Sequence, residues 1–398
     1  MIIIIGGGIS GMAMACQLKR QFNLDEYTIY DRQPALGGCW MANQYPGCAV
    51  DVPGCTYTLS FAPQPTFSKM FPSQPEILDY LTRVARQYGV DRHFRGSTEW
   101  KGACWHEKTQ SWTVELQDLQ TGKLFTRECS ILISAVGGIV NPNTLNVKGV
   151  DSFQGEILHT ARWRDIDLRD KNVAVIGNGA SALQLVPAIL KQTNSVTQFM
   201  RTPHHVVPAK NYDIPPTLQL LLRIPLVWYI VRLFMLLYLE RGFFQFRSEA
   251  GKARRAASEK ESREYVEKMA PARYLDLLIP KYEFGCKRRV FDRDYLSALH
   301  DEKMTLTNDP IVEITSSSII TKSTEVPVDV IILANGFALT HYDTPVQGRL
   351  QSREQHWAGY GHKATYKTVA MSGFPNFFYL LGPNSGRLYT STVQIIER

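Results

Sequence analysis

Residues 1–31 read MIIIIGGGISGMAMACQLKRQFNLDEYTIYD. The isoleucine run predicts a short buried parallel strand, periodic apolar residues predict a helix over 12–20, and between them lie three glycines in G-x-G-x-x-G spacing, Gly6, Gly8 and Gly11. A second strand over 27–30 ends at Asp31, the place where such a unit directs an acid at ribose hydroxyls. The stretch predicts an α/β dinucleotide-binding domain, and the acid favours FAD or NAD over NADP.

A second unit of the same kind lies in the middle of the chain. A strand over 172–176 precedes a helix over 182–191, and the loop between them has G-x-G-x-x-A spacing with three candidate nucleotide contacts, Gly177, Gly179 and Ser181. The next strand, over 196–200, is followed by Arg201 and Thr202 instead of an acid. A cation and a hydroxyl suit a 2'-phosphate, so the second nucleotide is predicted to be NADPH. Two fingerprints of opposite ribose chemistry indicate hydride transfer from NADPH to a flavin.

The stretch 37–51, GGCWMANQYPGCAVD, follows the first unit and reads as the wall of the flavin site. Gly38 admits close backbone approach, Trp40 offers a flat apolar face, and a Pro-Gly turn can aim Asp51 inward as a carboxylate that looks buried. Arg32 and Tyr57 are further candidates for cofactor binding.

Composition narrows the functional class. The chain has 398 residues, 44% of them hydrophobic, and a formal charge of +7, but it lacks the basic and aromatic pattern of a nucleic-acid binder. Its seven cysteines are odd in number and contain no C-x-x-C pair, so neither a disulfide framework nor a metal site is indicated. With no secretory signal at its start, the chain is predicted to be cytoplasmic.

The domain prediction is α/β, with two Rossmann-like units and a discontinuous first domain. The FAD-binding domain takes 1–145, the NADPH-binding domain takes 151–326 with a helical insertion at about 213–280, and 327–398 returns the chain to the FAD domain. A buried strand over 131–136 is expected to rejoin the first sheet, with an ordinary core strand as the alternative. The strand over 328–333 and the stretch 373–386 are expected to make the final return.

The strongest apolar run is LQLLLRIPLVWYIVRLFMLLYL, residues 218–239. Arg223 and Arg232 interrupt it, and an arginine near the centre of a bilayer costs about 2.5–3.5 kcal/mol. A buried helical insertion is therefore favoured over a spanning helix, and a helix lying on a membrane or partner is the alternative. The following polar helix, 249–269, is predicted to be a solvated face.

Taken together, these motifs resemble the class B flavin monooxygenases, and within them the Baeyer–Villiger monooxygenases. The stretch 37–51 matches the family's G-G-x-W…[FY]-P-G-x-x-x-D pattern, and 153–163 matches F-x-G-x-x-x-H-x-x-x-W, with Arg164 where the family prefers Pro or Asp. Trp163 favours the Baeyer–Villiger branch, because N- and S-oxygenating relatives tend to carry another aromatic residue there.

The resemblance implies that NADPH reduces FAD and that O2 then provides one oxygen atom for insertion into a ketone, giving an ester or lactone. Arg288, in a G-x-K-R context, maps onto the family's catalytic arginine, with Lys287 at the NADPH phosphate beside Arg201. Asp51 would orient Arg288. His159 is interpreted as a structural link between domains.

Three alternatives stay open beside this reading. The same cofactors could oxygenate an amine or sulfide, or the chain could be a truncated flavin-binding paralogue, since little sequence follows Gly386. A disulfide reductase is disfavoured because eight residues separate Cys39 from Cys48. The Phe- and Pro-rich stretch 61–72 and the run 218–239 suggest a bulky hydrophobic substrate.

Overall fold

The computed structural model describes residues 1–339, 342, 344–385 and 391–397. Its strands are, in chain order, β1 (Ile2–Ile5), β2 (Tyr27–Tyr30), β3 (Phe94–Arg95), β4 (Thr98–His106), β5 (Ser111–Asp118), β6 (Leu124–Cys129), β7 (Ile131–Ser134), β8 (Glu156–His159), β9 (Asn172–Ile176), β10 (Ser195–Phe199), β11 (Val206–Pro208), β12 (Val290–Asp292), β13 (Met304–Thr307), β14 (Ile311–Ile314), β15 (Ser318–Thr321), β16 (Glu325–Pro327), β17 (Val330–Leu333), β18 (Val346–Gln347) and β19 (Phe377–Tyr379).

The helices are α1 (Ile9–Phe22), α2 (Cys39–Ala42), α3 (Gln74–Gln87), α4 (Ala180–Ile189), α5 (Pro216–Leu222), α6 (Pro225–Arg241), α7 (Lys252–Met269), α8 (Leu275–Leu278), α9 (Tyr295–Ala298), α10 (Arg353–Tyr360) and α11 (Thr392–Glu397). A short 3-10 turn, Gly54–Thr56, follows the flavin-wall stretch.

The first sheet is parallel throughout, in the order β19-β7-β1-β2-β3. Its central strand β1 is the isoleucine run, and all four side chains are buried. Ile2 and Ile4 pack in a core with residues of α1 and α3, and Ile3 and Ile5 pack in a core with residues of β4 and β5. β7 pairs with β1 in register Ile2 to Ile131, so the predicted return of this strand to the first sheet is confirmed.

The second sheet is also parallel, in the order β13-β10-β9-β17-β8. β8 comes before β9 in the chain but lies at the far edge, beside β17. Through β8 the sequence fingerprint delivers His159 to the carboxyl end of the sheet, where its Nε2 lies 3.2 Å from the carbonyl oxygen of Gly336. His159 accepts a hydrogen bond from the Ala161 N–H at Nδ1, and burial lowers its pKa, so the neutral ring joins the end of β8 to the segment after β17. A link between the domains stays a prediction.

One strand lies in a different sheet from the one expected. The strand over 328–333 was predicted to return the chain to the first domain, but β17 pairs with β8 and β9 in the second sheet, so that prediction is wrong. The return is made by β19, which pairs with β7 in register Phe377 to Leu132. Four apolar residues in a row suit a central strand of either parallel sheet, so composition does not distinguish them. The end of the predicted stretch 373–386, at Gly386, lies outside the described residues.

Smaller sheets complete the fold. β5 and β6 form a hairpin around Thr121-Gly122, within the sheet β18-β4-β5-β6. β14, β15 and β16 form an antiparallel sheet, and β11 pairs in parallel with β12. Helices α5 to α8 lie between β11 and β12 as the insertion.

The apolar run 218–239 is helical, as predicted, but the prediction that it is buried is wrong. The run breaks between α5 and α6, and α6 exposes Leu226 and Phe234 by 70% each while it buries Trp228 and Arg232. Among the described residues no single helix is long and apolar enough to cross a membrane. Helices α5 and α6, with α6 continued to Phe246, are together long and apolar enough to cross a membrane by length and composition only, and the chain bends by 100° between them.

The two sheets share one continuous core, which runs through the flavin-wall stretch. Gln184 of α4 accepts a hydrogen bond from the Tyr45 hydroxyl at 2.9 Å and donates one to the Ala49 carbonyl at 3.0 Å. The wall is therefore held by the second nucleotide unit as well as by the first.

Candidate active site: two glycine loops and an arginine-aspartate pair

The first glycine loop leaves β1 in a conformation that only glycine adopts without strain. Gly6 has a φ of +111°, and a Cβ there would lie 2.4 Å from the carbonyl oxygen of Ala135, at the end of β7. A Cβ on Gly11 would lie 1.9 Å from the carbonyl oxygen of Gly6. The loop therefore needs these two glycines to pack the strand, the loop and the helix together.

The N-terminus of α1 fits a pyrophosphate. Gly8 occupies the N-cap position and has no side chain to cap the first N–H groups, and the first turn carries the uncharged residues Ile9 and Ser10. These donors and the positive end of the helix dipole are the usual partners of a phosphate. A Cβ on Gly38 would lie 2.6 Å from the Cα of Gly8, so two glycines let the wall stretch approach this loop.

Asp31 follows β2 and lies against the same loop. Its Oδ2 accepts a hydrogen bond from the Gly7 N–H at 2.5 Å, and its Oδ1 accepts one from the Gln33 N–H at 2.7 Å. Burial raises the pKa of Asp31, against the lowering effect of these hydrogen bonds. Arg32 points elsewhere, to Asn141 and the carbonyl oxygen of Val140.

Trp40 and Tyr57 form one rigid unit of the wall. The Trp40 indole donates to the Tyr57 hydroxyl at 2.9 Å, and the rings meet edge to face with centroids 5.6 Å apart. Gln74 of α3 donates to the Trp40 carbonyl at 2.5 Å. Burial raises the pKa of the Tyr57 phenol, so this residue is a neutral hydrogen-bonding group.

The second glycine loop has the same backbone geometry as the first, but different residues follow the second strand of its unit. Gly177 has a φ of +125°, and its Cβ would lie 2.2 Å from the carbonyl oxygen of Ala334, at the end of β17. Gly179 is the N-cap of α4, and Ser181 is partly exposed in its first turn. Arg201 and Thr202 are exposed after β10.

Lys287 joins this group from a distant part of the chain. Its ammonium group donates to the Thr202 hydroxyl and lies 5.2 Å from the centroid of the Tyr282 ring. Arg201, Thr202 and Lys287 thus lie just beyond the carboxyl end of β10, where two cations and a hydroxyl can bind a phosphate.

The predicted catalytic pair is present. Arg288 Nη2 donates to Asp51 Oδ2 at 2.6 Å, although 237 positions separate the two residues. The Asp51 side chain is 26% exposed and the Arg288 side chain 52%, so the carboxylate is only partly buried and the prediction of a buried one is corrected. Asp51 ends the wall stretch next to a Pro-Gly turn, a loop position that stays partly open to solvent. A half-exposed ion pair contributes little to stability.

Two side chains that position this pair were missed at the level of sequence. His204 Nδ1 lies 3.1 Å from the carbonyl oxygen of Arg288 and must donate to it; burial lowers the pKa of this histidine, which keeps it neutral. Arg293 donates to the carbonyl oxygen of Val50, beside Asp51, and stacks on Phe71 with 5.2 Å between the guanidinium and the ring centroid. The histidine pair just after Arg201-Thr202 was the available signal for His204, whereas nothing local marked Arg293.

Each of the two parallel sheets has an uncapped glycine loop, and the residue that follows the second strand of the unit is an acid in one and an arginine in the other. These features define a flavoprotein with two dinucleotide-binding domains. A family model described as an NAD(P)-binding Rossmann-like domain matches residues 4–72. The chain is 32% identical to the FAD-binding monooxygenase ktnD of Aspergillus niger, over 100% of this chain and 67% of that protein. It is 33% identical to a Baeyer–Villiger monooxygenase of Pseudomonas aeruginosa, over 100% of this chain and 75% of that protein.

A solved structure of an oxidized steroid monooxygenase bound to NADP matches with a TM-score of 0.84 and 27% identity, over 100% of this chain and 83% of that one. The chain belongs to the Baeyer–Villiger monooxygenase family of flavin-dependent monooxygenases. The family prediction and the predicted α/β class with two Rossmann-like domains are confirmed.

Proposed function

We propose that this chain uses FAD, NADPH and O2 to insert one oxygen atom into a ketone, giving an ester or lactone. The observation that carries the proposal is the 2.6 Å contact between Arg288 and Asp51, which lies at the end of the flavin-wall stretch. A fixed cation at this point can stabilise negative charge as it develops during reaction.

The residues fit both cofactors. The first loop, with Asp31 beside Gly7, suits the pyrophosphate and ribose of FAD, and the second, with Arg201 and Lys287, suits the 2'-phosphate of NADPH. When bound, the two cofactors supply the reducing equivalents and the oxygen chemistry. The side chains of the protein orient the reacting groups, stabilise charge and exclude water.

Each of those side chains has a distinct task. Arg288 presents a permanent positive charge, and Asp51 holds the guanidinium in one orientation. His204 and Arg293 fix the backbone at the two ends of this pair. Trp40 and Tyr57 form the apolar wall that keeps water from one side of the site.

The substrate is proposed to be bulky and hydrophobic. The stretch 61–72 contributes the buried Phe67 and the partly buried Phe61 and Phe71, which pack against the first core. The relative named steroid monooxygenase is in accord with a large apolar substrate.

All seven cysteines are free, which supports a reducing cytoplasmic location.

Arg288→Ala tests the reaction directly. With NADPH, O2 and a panel of cyclic and steroidal ketones, we expect the variant to lose ester formation by about 10²–10³-fold, the usual loss when one oxyanion-stabilising group is removed. Asp51→Ala is expected to bind FAD and to lose oxygenation more than anaerobic flavin reduction by NADPH. Arg254→Ala, an exposed arginine of α7, is the matched control.

The competing function is oxygenation of an amine or sulfide. A wild-type chain that yields no ester from any ketone, together with an Arg288→Ala variant that oxidises sulfides at the normal rate, would favour it. Normal oxygenation by Asp51→Ala would reduce the stretch 37–51 to a wall without a part in the chemistry.

A further inference from the structure

The insertion helix α6 has its polar and apolar sides reversed with respect to the usual soluble helix. Its buried face carries Arg232, 6% exposed, which donates to the Thr58 carbonyl at 3.1 Å and lies 3.8 Å from the Glu397 carboxylate. The same guanidinium lies 5.1 Å from the centroid of the buried Trp228 ring. Arg232 therefore anchors α6 to the protein and takes its charge off the opposite face.

The outward face of α5, α6 and the turn after them is apolar. We call this surface the α5–α6 face; each of its large side chains is at least 36% exposed, and they are Leu218, Leu220, Leu221, Ile224, Leu226, Tyr229, Ile230, Val231, Leu233, Phe234, Leu237, Tyr238, Phe243 and Phe244. Soluble chains rarely expose so many contiguous apolar side chains, and such patches mark interaction surfaces.

The exposed charges in the chain segments within and next to the α5–α6 face are mainly positive, and we call these cations the cationic border. Between residues 210 and 254 the exposed cations are Lys210, Arg223, Arg241, Arg247, Lys252 and Arg254, against the exposed acids Asp213, Glu240 and Glu249. Asp213 forms an ion pair with Lys69 at 3.6 Å, so one of these three negative charges is already neutralised by a cation outside the segment. An apolar face with a cationic border and interfacial tyrosines suits the boundary between anionic headgroups and acyl chains.

We propose that the α5–α6 face docks onto an anionic lipid surface, with α6 lying in the plane of the interface. A spanning arrangement is disfavoured by Arg232, which stays bound to the protein, and by the 100° bend between the helices. A second copy of the chain is also disfavoured. A two-fold interface through this face would bring the two cationic borders together, and like charges repel across an interface.

The position of the face adds a reason for docking there. α6 packs against Gly54–Thr56, directly before Tyr57 of the flavin wall, and Arg232 holds the Thr58 carbonyl on the other side of that tyrosine. The helix that carries the α5–α6 face therefore packs, on its buried side, next to the flavin wall, where on the proposed function a water-insoluble ketone arrives. Binding to lipid is measured without turnover, so failure of the reaction and failure of docking are distinguishable.

Co-sedimentation of the full chain with vesicles tests the proposal. We expect binding to vesicles of phosphatidylcholine with phosphatidylglycerol, weaker binding to phosphatidylcholine alone, and a decrease with added salt. The triple variant Leu226→Ser, Phe234→Ser and Tyr238→Ser removes three side chains exposed by 66–70%, and its affinity should fall by at least about tenfold. The control triple, Phe22→Ser, Leu124→Ser and Leu350→Ser, removes side chains exposed by 65–90% elsewhere and should bind like the wild type.

A charge variant separates the two parts of the surface. Arg223→Glu with Arg241→Glu should remove the preference for phosphatidylglycerol while bound FAD and far-UV circular dichroism stay unchanged. The proposal is overturned if the wild type does not sediment with anionic vesicles, or if both triple variants sediment equally. It is also overturned if sedimentation velocity shows a dimer that the α6 triple variant dissociates.

Discussion

The two glycine loops of this chain share a backbone and differ in what lies beyond it. In each loop the first glycine, Gly6 or Gly177, has a positive φ and packs against the carbonyl oxygen of an alanine that ends the neighbouring strand. At the third position of the motif they diverge, because the first loop has Gly11 and the second has the fully buried Ala182.

The ends of the two units diverge further. Asp31 is largely buried and held by the N–H of Gly7, whereas Arg201 and Thr202 are exposed, with Lys287 on the threonine hydroxyl. Backbone geometry thus supplies what any dinucleotide needs, and the two units differ at the residue after the second strand, the position that in such folds contacts the ribose.

Gly11→Ala against Gly179→Ala gives the largest expected contrast. A Cβ at Gly11 would lie 1.9 Å from a backbone oxygen, so the strand and helix must separate, at a cost we place at about 3 kcal/mol or more. A Cβ at Gly179 meets nothing within 4 Å, so the fold should persist and only the approach of NADPH should suffer. Thermal melting and bound FAD measure the first effect, and the KM for NADPH measures the second.

If Gly11→Ala retains FAD and its melting temperature, the two loops are interchangeable at this position and the contrast drawn from Ala182 is wrong. If Gly179→Ala also loses FAD, the two units do not fold independently of each other's loops.

Arg201→Ala sharpens the contrast between the ribose ends. Loss of one charge-assisted contact, worth about 1.5–3 kcal/mol, should raise the KM for NADPH about 10- to 100-fold and leave the KM for NADH unchanged. Steady-state flavin reduction with each nucleotide measures this. Arg127→Ala, on the exposed strand β6, is the control, and an equal loss with NADH would place Arg201 outside the 2'-phosphate site.

Short sequence motifs predicted those parts of the fold and of the candidate site that the spacing of a few residues determines. The two glycine loops follow from motifs whose spacing encodes backbone geometry, and the Arg288–Asp51 contact follows from motifs that carry the family resemblance. The position of β17 did not follow, because both sheets accept the same apolar strand.

The wrong prediction that the run 218–239 is buried has a different cause, namely contacts between residues that are far apart in the sequence. The orientation of α6 depends on Arg232 finding Thr58 and Glu397, which lie more than 160 positions away in either direction. Periodicity within the helix says only that it is apolar on most sides, and it does not say which residue turns inward.

Asp31→Asn should have the smallest effect, and its sign is fixed by burial. Burial raises the pKa of Asp31 in the folded chain above its ordinary value, so protonation favours the folded state. This contribution to stability is present below the ordinary pKa and is lost as the pH rises through the raised value. Asparagine does not titrate, so the melting temperature of the FAD-free variant should fall less than that of the wild type across this range, while FAD affinity weakens because the charged acceptor is gone. Thr202→Val at the other ribose end should leave the pH profile unchanged; if it flattens the profile as Asp31→Asn does, the titrating group is not Asp31.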